Sequence, residues 1–163
     1  ALTHLDAALA QDRALAEAYA ARARLRKANA DLEGARADFN DAIRLNGALA
    51  EARAGRCWLT LEANGDLAQA RDDAEAAVLV DSRNVEAQTC RGILQLRANE
   101  PGDALASFSA ALQVSPGNPE ALFGHGIARM RTGDGQGSRD MNRARDFNSH
   151  VGQRYAQLGV ETR

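Results

Sequence analysis

The sequence repeats itself at an interval of about 34 residues. The pentapeptide ALAEA begins at Ala14 and again at Ala48, which lie 34 residues apart. Four longer units recur at nearly the same interval, beginning at Ala16, Ala50, Val85 and Pro119. The eighth residue of each unit is small, namely Ala23, Cys57, Gly92 and Gly126. A period of this length is typical of a chain built from stacked supersecondary units.

Each unit has the pattern of two helices joined by a short turn. Later in each unit an apolar residue is followed three positions on by alanine, as in Phe39 and Ala42 or Phe108 and Ala111. Spacings of three and four are those of one helix face, whereas Asn, Gly, Asp and Pro cluster between the apolar runs. Aromatic residues make up only 4% of the chain, so small side chains must form most helix contacts. The sequence therefore predicts an all-α fold.

Composition and charge argue against several classes of function. The formal net charge of −2 and the pI near 5.9 give no electrostatic reason to bind nucleic acid or an anionic membrane. The acidic balance and the few aromatics also disfavour a helical repeat that reads RNA. No apolar run approaches the ~18 residues of a membrane-spanning helix. We expect neither nucleic-acid binding nor membrane insertion.

No catalytic or metal-binding motif is apparent. The three histidines, at positions 4, 125 and 150, are too far apart to indicate a metal cluster. The glycine-rich run 133–137 lacks the preceding strand and the following Lys of a phosphate-binding loop, so it is interpreted as a turn. Cys57 and Cys90 are expected to be free thiols in packing positions. The expectation is a non-enzymatic protein without metal or cofactor.

The third unit, residues 85–118, closely resembles a tetratricopeptide repeat. The small, aromatic and proline positions of that family's signature are filled by Gly92, Ala104, Phe108, Ala111 and Pro116. The resemblance covers some nine-tenths of the chain. It implies an all-α, right-handed α-solenoid of helix-turn-helix hairpins, with about four repeats, a half repeat at the amino terminus and a capping helix at the carboxyl terminus.

The predicted organisation is a single solenoid over residues 1–163. Residues 1–13 are expected to be the second helix of a truncated repeat, whose uncovered face would favour self-association. The full repeats are predicted at 16–49, 50–84, 85–118 and 119–148. The second helix of the fourth is polar and glycine-rich at its start, so loose packing is expected. A capping helix is predicted over 150–159, with Val151, Tyr155 and Leu158 on one stripe.

The chain has no initiator methionine and no signal peptide, and it begins within a helical pattern. We interpret it as part of a longer bacterial protein, and its compartment is not identified by the sequence.

Two ladders of charged residues recur with the repeat. The seventh residue of each unit is basic or histidine, and the residue before the second-helix apolar position is Asp or Ser; the pairs are Arg22 and Asp38, Arg56 and Asp73, Arg91 and Ser107, and His125 and Asp140. We predict an ion pair or hydrogen bond inside each unit rather than a basic peptide-binding surface. The second ladder is Glu17, Glu51, Glu86 and Glu120. Each glutamate lies in the first turn of its helix, where its negative charge complements the helix dipole. The alternative is an acidic rim that binds a partner.

The family resemblance also implies a concave groove, lined by the fifth, sixth, ninth, twelfth and thirteenth residues of each first helix. The candidate partner-binding residues are Arg24, Lys27, Trp58, Leu61, Thr89, Ile93, Leu96, Arg97, Phe123, Ile127, Met130 and Arg131. They are basic toward the amino-terminal end and apolar in the middle and carboxyl-terminal part, with Arg97 and Arg131 at the far edge. This pattern suits an amphipathic helix or an extended peptide with hydrophobic anchors. Trp58 is expected to lie on the open face and to anchor the peptide.

These observations favour a protein–protein interaction scaffold that binds a peptide or helix of a partner protein in the groove. The sixth residues of the units are Ala21, Gly55, Cys90 and Gly124, so the Lys and Asn clamp that related domains use for a terminal carboxylate is missing. The alternative is a structural module of a larger enzyme or assembly complex, with a groove filled by its own chain, either by the helix over 151–158 or by a missing amino-terminal region. The sequence leaves both open.

Overall fold

The computed structural model describes residues 1–162, which form ten helices and contain no β-strand. The helices are α1 Leu2–Gln11, α2 Ala16–Ala28, α3 Leu32–Leu45, α4 Ala50–Glu62, α5 Leu67–Val80, α6 Val85–Arg97, α7 Pro101–Val114, α8 Pro119–Arg131, α9 Gly137–Phe147 and α10 Val151–Gln157. Helices α2 to α9 form four successive antiparallel pairs that stack in chain order, with α1 packed on α2. The predicted all-α solenoid is confirmed.

The first helix of each pair lies on the inner side of the stack. Helices α2, α4, α6 and α8 contact one another from pair to pair, while each second helix packs mainly on the first helices of its own pair and of the next. The array is therefore narrower on the first-helix side, which forms the concave face.

The turn inside each pair has the same backbone conformation. One residue per turn has positive φ: Ala30 (62°), Asn64 (47°), Asn99 (58°) and Gly133 (90°). In the second pair the amide of Gly65 donates to the carbonyl of Thr60 at 2.9 Å, and that of Asn64 donates to Leu61 at 3.1 Å. These bonds end the first helix by satisfying its last carbonyls. The next helix then starts at once, with the Asp66 carboxylate capping the amides of residues 68 and 69.

Glycine allows the helices within the fourth pair to approach closely. A β-carbon on Gly126 of α8 would lie 2.5 Å from the carbonyl oxygen of Gly137 in α9. The expectation of a loosely packed second helix is wrong here, because Gly137, Met141 and Ala144 of α9 are all buried. Gly137 at its start brings the two backbones together instead of loosening the packing.

A disulfide joins Cys57 of α4 to Cys90 of α6. The expectation of two free thiols is therefore wrong. The eighth residue of one unit and the sixth residue of the next face each other across the contact between first helices. Their α-carbons are 6.6 Å apart, a separation that a disulfide spans, and both residues are fully buried.

The predicted polar pair forms in all four helix pairs. Arg22 Nε and Nη2 donate to the two carboxylate oxygens of Asp38 at 2.8 and 2.7 Å. Arg56 makes the same two-pronged contact with Asp73, at 2.7 Å for both bonds. In the third pair Arg91 Nε donates to Ser107 Oγ at 3.0 Å, and in the fourth His125 Nδ1 lies 2.8 Å from Asp140 Oδ2. These residues thus hold the two helices of each pair together.

Candidate functional site

The carboxyl-terminal part of the concave face is covered by the chain's own C-terminal segment, residues 151–160. Among the predicted groove residues, the apolar side chains of Leu61, Ile93, Leu96, Phe123 and Ile127 are at most 2% exposed. They belong to one hydrophobic cluster with the buried C-terminal side chains Val151, Tyr155, Leu158 and Val160. The apolar part of the predicted groove therefore exists, and a segment of this chain occupies it.

Tyr155 anchors the C-terminal segment to α8. Its ring centroid lies 5.1 Å from that of Phe123, with the two planes tilted by 54°. Its hydroxyl donates a 2.6 Å hydrogen bond to the backbone carbonyl of Glu120. The absence of a side chain at Gly124 makes room for this hydroxyl, which a β-carbon there would strike. Burial of the whole ring raises the pKa of Tyr155 well above its ordinary value, with the Glu120 carboxylate adding to the effect.

Arg154 extends the C-terminal segment across the concave face to α4. Its Nη2 donates to Glu62 Oε1 at 2.9 Å, and its Nη1 lies 3.4 Å from Glu120 Oε1. Its guanidinium carbon lies 5.2 Å from the centroid of the Trp58 ring. A helix stacked only on the end of an array would touch its immediate neighbours. Here the helix packs on α8 and α9, and its arginine also contacts the last residue of α4.

Trp58 lies beneath two cations rather than on an open surface. Only 5% of it is exposed, so the expectation of an exposed Trp58 is wrong. Its indole Nε1 donates to the carbonyl of Glu86 at 3.1 Å, and Lys27 Nζ approaches its ring centroid to 5.9 Å. Lys27 also pairs with Glu62 at 3.1 Å. The tryptophan thus forms part of the concave floor.

The basic amino-terminal part of the groove is largely compensated by glutamates. The two cations of this part are Arg24 and Lys27, of which Arg24 is the more exposed. The Arg24 guanidinium lies 3.5 Å from Glu51 Oε2 and 3.6 Å from Glu86 Oε2. Burial raises the pKa of Glu86, while the charges of Arg24 and Lys27 act in the opposite direction. The glutamate ladder therefore does more than complement helix dipoles, since three of its members face cations on the concave side.

The remaining predicted residues make local contacts. Thr89 is buried, and its hydroxyl donates to the carbonyl of Val85 at 2.7 Å. Arg97 Nη1 lies 3.4 Å from Asn64 Oδ1. Arg131 donates at 2.8 Å both to Leu96 O and to the backbone carbonyl of Glu161, the residue directly after the C-terminal segment, and so ties this end of the chain to the array. Met130 is 44% exposed and lies beside Gly137 of α9.

The sequence placed Glu62 on the groove face and Glu120 in the glutamate ladder without counting either among the candidate binding residues, and it missed Arg154 and Val160 as residues of this site. The stripe of Val151, Tyr155 and Leu158 was the signal that an apolar segment follows the last repeat. Nothing in the repeat pattern places it against α4, because the segment has no counterpart in the earlier units. A pocket of about 280 Å³ remains beside Arg154, between Trp58, Thr89 and Glu120.

The sequence profile of the family described as "Tetratricopeptide repeat" matches residues 59–119 and 89–147, which together make up more than half of the chain. The chain belongs to the tetratricopeptide repeat (TPR) family. No curated protein sequence matches this TPR chain significantly.

Solved TPR structures share its fold. The TPR domain of Arabidopsis OM64 is 28% identical, with a TM-score of 0.63 over 71% of this chain and 94% of that one. MamA is 14% identical, with a TM-score of 0.70 over 93% and 89% of the two chains. The TPR protein TTC0263 of Thermus thermophilus is 18% identical, with a TM-score of 0.69 over 96% and 88%. At these identities the similarity concerns the fold.

Membership of the TPR family defines the general role of the chain. The TPR fold is a protein–protein interaction module and generally a non-enzymatic scaffold, so its partners are proteins. Within residues 1–162, none of the helices has both the length and the apolar character required to cross a membrane.

Proposed function

We propose that this TPR domain is an adaptor that binds a segment of a partner protein in its concave groove, through the residues that the sequence predicts and those around Arg154. The observation that carries the proposal is that the groove already holds a peptide segment, the chain's own residues 151–160. A surface that buries one segment through separate anchors has the chemistry to bind another of the same kind.

The groove offers three kinds of contact to such a segment. Phe123 and Ile127 form an apolar floor, as expected for hydrophobic anchors. The carbonyl of Glu120 accepts a hydrogen bond from the bound segment, and Arg131 donates one to its backbone. Arg24 and Lys27 lie at the amino-terminal end, where they would face acidic groups of a longer partner.

The alternative is that the C-terminal segment fills the groove permanently, as part of a structural module in a larger enzyme or complex. The same contacts support both functions. The two functions differ in whether a partner displaces the C-terminal segment from the groove. Self-association through α1, at the amino-terminal end of the array, stays a prediction.

Selection of binders from a random-peptide display library tests the adaptor function on the full chain. The enriched peptides are measured against the wild type and the concave double variant Arg24→Glu/Lys27→Glu. We expect the double variant to bind them at least ~10-fold more weakly, because both substitutions reverse a charge on the concave face.

The matched control is Arg36→Glu/Arg44→Glu, which makes the same charge change on the second helix α3. It should leave the affinities within about twofold of the wild type. Peptides that bind the concave variant as tightly as the wild type, or a selection that yields no binder, would contradict groove binding and favour the permanently filled module.

A further inference from the structure

We propose that the partner segment carries an arginine followed directly by an aromatic residue, with aliphatic residues four and six positions after the arginine, and that residues 151–160 compete with it intramolecularly. This inference rests on the proposed function and specifies its ligand. The pattern is that of Arg154, Tyr155, Leu158 and Val160.

The concave face contains a binding site for one guanidinium group. Glu62 and Glu120 both contact Arg154, at 2.9 and 3.4 Å, and the guanidinium carbon lies over the Trp58 ring, 5.2 Å from its centroid. The two carboxylate side chains are only 29% and 17% exposed, so their charges are partly desolvated. If Arg154 left the site, Glu62 would keep its ion pair with Lys27. Glu120 would have no ion pair with a cation of α2 or α4. The face then requires a positive charge from the incoming segment.

Arginine fits this site better than lysine does. A guanidinium donates through several N–H groups in one plane, so it reaches both carboxylates while its face stacks on the indole. A lysine ammonium is a point charge that keeps a strong hydration shell, and it would satisfy one of these contacts at a time. The site therefore selects for arginine at this position of the ligand.

The residues after the arginine define the rest of the ligand. Tyr155 is fully buried against Phe123, and its hydroxyl reaches the carbonyl of Glu120 at 2.6 Å. Leu158 and Val160 are each 2% exposed and belong to the same cluster. An aromatic residue and two aliphatic residues at this spacing would bury the same groove floor.

The C-terminal segment has the properties of a displaceable competitor. Its helix α10 has only seven residues, too few to be stable in water without the contacts to the groove. Arg154 is 39% exposed, so its ion pairs are open to exchange. Because the segment is tethered, it acts at an effective concentration in the millimolar range, which a free peptide at micromolar concentration does not overcome. Weakening the tethered segment should therefore open the groove to a ligand added in trans.

The test uses a fluorescein-labelled peptide with the sequence SHVGQRYAQLGVE, residues 149–161, and fluorescence anisotropy. It is added to the full chain carrying Arg154→Ala/Tyr155→Ala. The control is the full chain carrying Arg143→Ala, which removes an exposed arginine from α9. We expect the double variant to bind the peptide at least ~10-fold more tightly than the control and the wild type do.

Substitutions in the peptide test the arginine requirement. The change Arg154→Ala in the peptide should weaken binding to the double variant by roughly 10-fold or more, and Arg154→Lys should have an intermediate effect. Equal binding of the three peptides, or equal binding of the parent peptide to the double variant and the control, overturns the proposal. If circular dichroism shows that the double variant is unfolded, the same comparisons are made on Arg154→Ala alone, which changes only a partly exposed side chain.

Further results distinguish this inference from other occupants of the groove, and its failure from a failure of the proposed function. Light scattering that finds a dimer of the wild type, lost on Arg154→Ala, would assign the groove to the C-terminal segment of a second copy and overturn the proposal. If display-selected peptides bind the concave face without an arginine, the proposed function stands and this inference fails. If no peptide of either source binds there, both fail.

Discussion

At the scale of single residues, buried carboxylates hold together the helices of the first two pairs, α2–α3 and α4–α5. Asp38 and Asp73 are 2% and 1% exposed, and each accepts two hydrogen bonds from one guanidinium. Hydrogen bonds to Asp38 raise the pKa of Arg22, so this arginine stays charged. In the third pair the partner of Arg91 is the neutral Ser107, and burial lowers the pKa of that arginine. The arginine is thus better compensated where aspartate is present.

The variant Asp73→Ala tests this arrangement. Removal of the Asp73 carboxylate leaves Arg53 and Arg56 without their shared partner in a mostly buried site. We expect the free energy of unfolding, measured by urea denaturation, to fall by ~3 kcal/mol, the low end of the cost of breaking a buried pair. The neighbouring change Asp72→Ala, at an exposed position of the same helix, should alter it by less than ~0.5 kcal/mol. If the two variants lost similar amounts of unfolding free energy, the contact of Asp73 with Arg56 and Arg53 would not be a stabilising one.

These pairs were predictable from the sequence, whereas the disulfide was not. Both members of each polar pair recur at equivalent positions in every unit, 15 to 17 residues apart, so their contact is repeated four times in the pattern. Cys57 and Cys90 occupy different positions of their units and form one contact only. The burial of Trp58 was not predicted either, because one of the two cations over its ring, Arg154, lies outside the repeats.

At the scale of elements, helices α1 to α9 follow from the repeat, whereas the placement of α10 does not. Turn residues at equivalent positions end the first helices, so their boundaries could be read from Asn, Asp and Gly in the sequence. The position of α10 depends on contacts far along the chain, between Arg154 and Glu62 and between Tyr155 and Glu120. Such contacts have no local sequence signal.

The docking of α10 should depend on alkaline pH. Burial raises the pKa of Tyr155 above the ordinary value near 10, so the folded state disfavours tyrosinate. The stability that the docked tyrosine contributes is therefore fully present below about pH 10 and is lost as the pH rises from there toward the folded-state pKa. We expect the fluorescence of Trp58, the single tryptophan, to change in this range as Arg154 leaves its ring.

Tyr155→Phe provides the control for this titration. It should cost about 1 kcal/mol at neutral pH through the lost hydrogen bond to Glu120, and it should remove the alkaline step. Tyr19 remains in both proteins, so its ionisation contributes equally. An identical fluorescence change in the variant would mean that Tyr155 does not control the docking of α10.

At the scale of the whole molecule, one covalent bond crosses between two neighbouring helix pairs. Stability in a repeat array is a sum over units and the interfaces between neighbours. The Cys57–Cys90 bond joins residues 33 apart, so it restricts the unfolded chain as well as the contact between α4 and α6.

Removal of this bond should destabilise the middle of the array. We expect the Cys57→Ala/Cys90→Ala variant to lose about 3–4 kcal/mol of unfolding free energy, the loop-closure value for a disulfide of this span. Reduction of the wild type with dithiothreitol in denaturant should have a similar effect, and the variant should not respond to the reductant. Mass spectrometry that finds two free thiols in the native wild type would exclude the bond.

The disulfide also determines where the array is able to bend. Solenoids change curvature by small rotations between successive units, and a cross-link between α4 and α6 restrains the rotation at that junction. The remaining rotations are then concentrated at the α2–α4 and α6–α8 junctions. Arg131 lies at the α6–α8 junction, where it donates hydrogen bonds to the carbonyls of both Leu96 and Glu161. Departure of the C-terminal segment would therefore widen the superhelix on one side of the cross-link while the other side keeps its curvature.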